Sequence, residues 1–125
     1  MDAEGRKRAA VQFLQLVVAG QIEKAYQKHV DLGGKHHNIS VPAGFPALQT
    51  SMIENHAMFP SKQLVVQHVL GEKEFVAVHS RVVLTPDGEG LQTFHLFRFQ
   101  DDKIVELWDC GQQVPADSPN EDGVF

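Results

Sequence analysis

The hydrophobic positions recur at helical spacing in the first half of the chain and at strand spacing in the second half. The first stripe predicts an amphipathic helix over about residues 3–19, which Gly20 ends. A second stripe begins at Ile22, and the "DLGG" of residues 31–34 predicts the end of that helix. After the loop-like "KHHNISVPAG", a third helix is predicted to start near Pro46 and to end before Pro60.

From residue 62 onward the pattern becomes that of strands. "KQLVVQHVL" and "EFVAVHSRVVL" are runs rich in β-branched residues, and the "GEK" between them predicts a hairpin. After the turn "TPDGEG", "LQTFHLFRF" and "KIVELWDC" predict a second hairpin across Asp101 and Asp102. Residues 113–125 are polar and contain two prolines, which predicts an irregular tail.

Helices followed by a meander of strands predict the α+β class. We expect the N-terminal helices to pack on a strongly curved antiparallel sheet, giving a cone-like half barrel with an internal pocket. A small-molecule site would lie in that pocket. The length suits one domain over residues 1–125.

Composition limits the classes of binding partner and the cellular compartment that are expected for this chain. The net charge of -5 disfavours nucleic acid and anionic membranes as partners. The single cysteine, Cys110, excludes an internal disulfide, is expected to be a buried apolar thiol, and suits a reducing compartment. There is no signal-peptide pattern and no apolar run long enough to cross a bilayer, so a cytoplasmic location is expected.

Asp109 is the residue that departs most from the pattern, because it follows Trp108 where burial is predicted. An unpaired buried charge is costly, so Asp109 is expected to face a cavity whose apolar walls make it a stronger base. An alternative role is to bond backbone amides at the strand end. His95, on the partner strand, is the second candidate for proton transfer. His95 and the mid-strand His79 could also be structural or pocket-lining residues.

The register of the last hairpin decides whether His95 and Asp109 meet. A tight two-residue turn at Asp101 and Asp102 would place His95 opposite Trp108, with Asp109 on the other face. A one-residue bulge would place His95 opposite Asp109. Alternation of hydrophobic and polar positions does not choose between them. The histidines match no metal-site spacing, so no metal is expected.

Three segments resemble one family, the SnoaL-like polyketide cyclases of the nuclear transport factor 2 superfamily. "HHN" with the downstream "VPAG" is similar to a His-Asn-Pro loop of the family. "HLFRFQDDKIVELWD" resembles its most specific signature, and "QQVPADSPNEDGVF" resembles its C-terminal tail. The resemblance covers nearly the whole chain and favours the bulged register.

The resemblance implies a cofactor-independent enzyme acting on a hydrophobic carbonyl compound by acid/base chemistry of the aldol-cyclase type. Asp109 would move the proton, and His95 would donate a hydrogen bond to the enolate oxygen. A homodimer formed through the sheet is also implied. The side chains expected to contact the ligand are His37, Asn38, His79, Phe13, Met52, Phe59, Phe97, Leu107 and Trp108.

One departure from the family pattern keeps other functions open. Leu107 stands where the family's "EHWD" supplies a histidine, which supports a non-catalytic module that binds an apolar small molecule. A third interpretation is an isomerase resembling ketosteroid isomerase, or an epoxide hydrolase. The latter needs more cavity carboxylates and an arginine than the sequence places there.

Overall fold

The computed structural model describes residues 1–125 and contains three helices and five strands. The helices are α1 (Ala3–Val18), α2 (Ile22–His29) and α3 (Phe45–Met58). The strands are β1 (Val30–His36), β2 (Gln63–Glu72), β3 (Phe75–Val83), β4 (Leu91–Gln100) and β5 (Lys103–Gln113). The tail from residue 114 contains turns but neither helix nor strand. No helix has both the length and the apolar character needed to cross a bilayer.

The helices pack on one open, five-stranded sheet, which confirms the predicted α+β class. The strand order is β1-β5-β4-β3-β2. Strands β2 to β5 form the predicted antiparallel meander, whereas β1 pairs with β5 in parallel and makes the sheet mixed.

Strand β1 corrects the prediction that residues 31–34 only terminate the second helix. Helix α2 ends at His29, and the chain enters the sheet at Val30. Gly34 allows this, because a side chain there would collide with the backbone carbonyl of Val105 in β5. Glycines in a strand often mark such a close backbone approach, but they also resemble a helix terminator in sequence.

The ends of the first and third helices follow from local chemistry. The Asp2 carboxylate accepts a hydrogen bond from the Gly5 backbone N–H at 2.7 Å and caps α1. Gly20, at a φ of 84°, turns the chain into α2, and a side chain there would collide with the His56 ring. Pro46 lies in the first turn of α3, where its missing N–H costs nothing.

Aromatic rings hold the three helices to the sheet. Phe13 of α1 contacts Tyr26 of α2 and Phe97 of β4 edge to face, with ring centroids 5.5 and 5.9 Å apart. Tyr26 contacts Phe45 of α3 at 6.2 Å. All four side chains are buried, and each such pair adds about 0.5–1.5 kcal/mol beyond the area it buries. The core therefore lies between the helices and one face of the sheet.

The β4–β5 hairpin combines the two turn geometries that the sequence left as alternatives. Asp101 and Asp102 form a two-residue turn with φ values of 50° and 66°, and Phe99 pairs with Ile104. Arg98 then pairs with Glu106, which leaves Val105 as the extra residue of a bulge. The bulged register is thereby confirmed, and it places His95 directly opposite Asp109.

Candidate functional site

A cavity of about 590 Å³ lies between the helices and the sheet, and His95 and Asp109 are both on its wall. Leu14 and Val17 of α1 and Met52 of α3 form part of the apolar lining. Eleven of its twenty lining residues are hydrophobic, as expected for a site that takes an organic molecule. Two hollows of about 600 and 870 Å³ elsewhere contain neither His95 nor Asp109.

Asp109 is held by Asn38 from the loop after β1. The Asn38 side-chain nitrogen donates to both oxygens of the Asp109 carboxylate, at 3.2 and 3.1 Å. The Asn38 side-chain oxygen accepts from the Ser40 backbone N–H at 2.9 Å, which fixes the amide orientation that the Asp109 contact requires. Asp109 is therefore an oriented carboxylate on the cavity wall.

The buried His36 fixes the loop that carries Asn38. The His36 Nδ1 accepts from the Asn38 backbone N–H at 3.1 Å, so in the neutral ring the proton is on Nε2. Nε2 then donates to the Pro42 carbonyl at 2.8 Å. These two bonds hold Asn38 in place, which makes His36 a positioning residue.

His95 is half-buried and lies opposite Asp109 on the helix-facing side of the sheet. Directly opposite residues of an antiparallel pair bring their Cβ atoms to about 5 Å. Burial lowers the pKa of His95 below its ordinary value of 6.5, and the Asp109 charge acts against that shift. Its Nδ1 is buried without a hydrogen-bond partner. The ring is therefore neutral at neutral pH and retains hydrogen-bonding capacity.

Tyr26 is a neighbour of the site that the sequence did not single out. Its hydroxyl donates to the Met52 sulfur at 3.2 Å, a weak acceptor. Burial, reinforced by the Asp109 charge, raises the pKa of Tyr26 well above 10. Tyr26 is thus a neutral donor close to Asp109. One signal in the sequence could have indicated it: Tyr26 is a lone tyrosine on an apolar helix face. A buried hydroxyl needs a hydrogen-bond partner.

The structure brings four of the residues predicted from the sequence to the cavity wall, namely Asp109, His95, Asn38 and Met52. Three others, Phe13, Phe97 and Leu107, are fully buried core residues that do not line it. Phe97 supports the site indirectly, since its ring stacks on His95 with centroids 6.0 Å apart. Phe59 caps the end of α3 and does not line the cavity.

His79, His37 and Trp108 do not reach this cavity, which corrects their expected place in the same site. Strand alternation puts His79 on the outer face, where it stacks between His68 and Phe94. His37 stacks on Trp108 at 4.9 Å and bonds Glu106 at 2.6 Å on that same face. The bulge that turns Asp109 inward also turns Trp108 outward.

Cys110 is exposed, contrary to the expectation of a buried thiol, because it follows the inward-facing Asp109 and points outward. No three His, Cys, Asp or Glu side chains converge as a metal-binding group.

Lys62 is a second polar residue of the cavity that the sequence did not single out. It lies just before β2 and lines the wall together with Asn55 of α3. A lysine at a strand start has no distinguishing pattern in the sequence, so only the assembled cavity reveals Lys62.

Comparison with known proteins shows similarity of fold rather than of sequence. No protein-family model and no curated protein matches the sequence. A SnoaL-like protein of unknown function from Burkholderia thailandensis superposes with a TM-score of 0.74, at 14% identity, over 90% of this chain and 98% of that chain.

Two other solved structures are described by an activity. A candidate SnoaL-like polyketide cyclase from Jannaschia sp. matches with a TM-score of 0.65, at 19% identity, over 83% of this chain and 85% of that chain. AclR from Streptomyces galilaeus, described as a candidate hydroxylase, matches with a TM-score of 0.71, at 22% identity, over 89% of this chain and 91% of that chain. The predicted resemblance is thus confirmed at the level of fold: this chain has the fold of the SnoaL-like and nuclear transport factor 2-like proteins.

Proposed function

We propose that the protein is a small enzyme that enolises a hydrophobic carbonyl compound without a cofactor, as the first step of an aldol-type or isomerising reaction. The observation that carries this proposal is the juxtaposition of Asp109 and His95 on the wall of an apolar cavity. The fold neighbours support the superfamily but not a particular reaction.

The chemistry needs one base and one hydrogen-bond donor. Asp109 removes a proton from the carbon next to the carbonyl, and the electron pair moves onto the carbonyl oxygen to form an enolate. The neutral His95 donates a hydrogen bond to that oxygen, which stabilises the charge as it develops. In an aldol step the enolate carbon attacks a second carbonyl, and the protonated Asp109 returns its proton to the new alkoxide.

Two structural features favour this division of roles. Asn38 orients the Asp109 carboxylate, and the apolar wall strengthens electrostatic interactions by excluding water. Burial keeps His95 uncharged, so it retains a donor without forming a fixed ion pair with Asp109.

The test is exchange of α-protons for deuterium in bound acetophenone, followed by NMR. Asp109→Asn is expected to slow exchange by about 10²–10⁴-fold, the range for one general base, while acetophenone still binds. The matched control is Asp117→Asn, which removes an exposed carboxylate from the tail. Exchange at the wild-type rate in Asp109→Asn removes Asp109 from the reaction. Binding without exchange in the wild type supports a non-catalytic binding module instead.

We also propose that the chain forms a homodimer through the outer face of the sheet. This face carries apolar side chains in cross-strand rows, and one row comprises Leu70, Ala77, Leu96 and Trp108. Leu70 and Phe94 are 68% and 48% exposed. Exposed apolar side chains grouped on one face of a sheet are typical of a surface that is covered in an assembly.

A further inference from the structure

Lys62 is the only lysine or arginine on the cavity wall. It lies between α3 and β2, is partly buried, and donates from Nζ to the side-chain oxygen of Asn55. That partner is a neutral amide. The cavity therefore holds one cation that the protein does not neutralise.

Lys62 lacks the carboxylate partner that Arg98, another half-buried cation, has. Glu106 pairs with Arg98 and with the exposed Lys35, whereas Lys62 takes part in no ion pair. Burial lowers the pKa of Lys62 below its ordinary value of 10.5, and no carboxylate acts against that shift. Removing a charge from water without a partner costs free energy, so an anion bound at Lys62 would recover part of it.

Lys62 and Asp109 lie on different parts of the cavity wall. Asp109 is on β5 and Lys62 immediately precedes β2, and β4 and β3 separate these two strands. Three strand spacings correspond to about 14 Å measured along the sheet. Asp109 would repel a ligand carboxylate and Lys62 would attract it, so the two charges together define one orientation for a charged ligand.

We propose that Lys62 forms an anion subsite, so that the ligand of this cavity is an organic acid with its carboxylate at Lys62 and a carbonyl at His95 and Asp109. The carbonyl end of this inference rests on the proposed function, but the anion subsite does not. With a net charge of -5, the protein as a whole repels such acids, so the preference depends on this local cation.

The experiment compares δ-benzoylvalerate with its methyl ester by titration calorimetry. The two compounds share the aryl ketone and the chain and differ in the charge. The wild type is expected to bind the acid about tenfold more tightly, the effect of one charge-assisted hydrogen bond. Lys62→Met is expected to abolish the preference, and Lys62→Arg to keep it. Lys24→Met, an exposed site away from the cavity, is the matched control for loss of one positive charge.

Equal affinity for acid and ester in the wild type, binding of neither, or an unchanged preference in Lys62→Met would overturn the subsite. Its failure is distinguishable from that of the proposed function. Asp109→Asn should keep the acid preference while losing deuterium exchange into the ketone. An Asp109→Asn variant that exchanges normally yet prefers the acid would refute the enolisation and leave the anion subsite standing.

Discussion

Individual residues in this protein are positioned by polar contacts from loops rather than by the strands that carry them. Asp109 lies on β5, but the Asn38 amide orients it, and Asn38 is held in turn by His36 and Ser40. Hydrogen bonds thus connect His36, at the end of β1, through Asn38 to Asp109 on the cavity wall. Because the groups around the candidate base are already oriented, reorganising the site as charge develops costs little free energy.

Another buried histidine, His29, gives a prediction for pH dependence at the residue scale. Burial, followed by the charges of Lys28 and Lys103, lowers its pKa from 6.5 to about 4. The unfolded chain therefore binds a proton below about pH 6.5 that the folded chain does not bind until about pH 4. Stability is fully present above about pH 6.5 and falls as pH decreases towards 4.

The measurement is urea denaturation at several pH values across that window. His29→Gln is expected to flatten the decline in the free energy of unfolding, and a residual slope remains from His95, whose pKa is lowered in the same direction. An unaltered slope in His29→Gln would show that His29 titrates normally in the folded protein.

At the scale of elements, the β4–β5 hairpin decides which side chains meet in the cavity. Its turn requires two residues with positive φ, and its bulge inserts Val105 between Ile104 and Glu106. Glu106 then reaches Arg98 at 2.9 Å and His37 at 2.6 Å, which ties β4 and the loop after β1 to β5. The hairpin and the Asn38 loop are thus fixed as one unit.

The turn predicts a specific order of stability among variants at Asp102. Asp102→Val places a β-branched residue at a φ of 66° and should lower the free energy of unfolding by about 1–2 kcal/mol. Glycine adopts this conformation freely, so Asp102→Gly should not lower the free energy of unfolding. Asp102→Asn is the control for charge, because the ion pair of Asp102 with the N-terminus is exposed and worth little. Equal stability of the Val and Gly variants in denaturant titrations would contradict the turn geometry.

At the scale of the molecule, the sheet separates two surfaces with different roles. The helix-facing side carries the cavity, and the outer side carries exposed apolar residues together with the His68, His79 and Phe94 stack. Arg81 on that outer face lies over the Phe125 ring at 5.2 Å, so the end of the tail packs against the sheet rather than over the cavity. The two surfaces can therefore be altered independently.

The proposed homodimer gives the prediction at this scale. Phe94→Glu should convert a dimer into a monomer in sedimentation experiments, because it places a charge at an exposed apolar position on the outer face of the sheet. Met58→Glu, which also changes an exposed hydrophobic residue but lies at the end of α3, should remain dimeric. A monomeric wild type would refute the dimer.

The sequence by itself determined the three helices, the four-strand meander and the turn at Asp101 and Asp102, because each is encoded by periodicity or turn chemistry between near neighbours. It also marked Asp109, since a carboxylate where burial is predicted violates a local pattern, and His95, since an imidazole on the partner strand suits proton transfer. Only the tertiary structure decided β1, the bulge and the contact of Asn38 with Asp109. Two glycines in β1 leave no alternation to detect, a bulge has no signature of its own, and residues 71 positions apart meet only after folding.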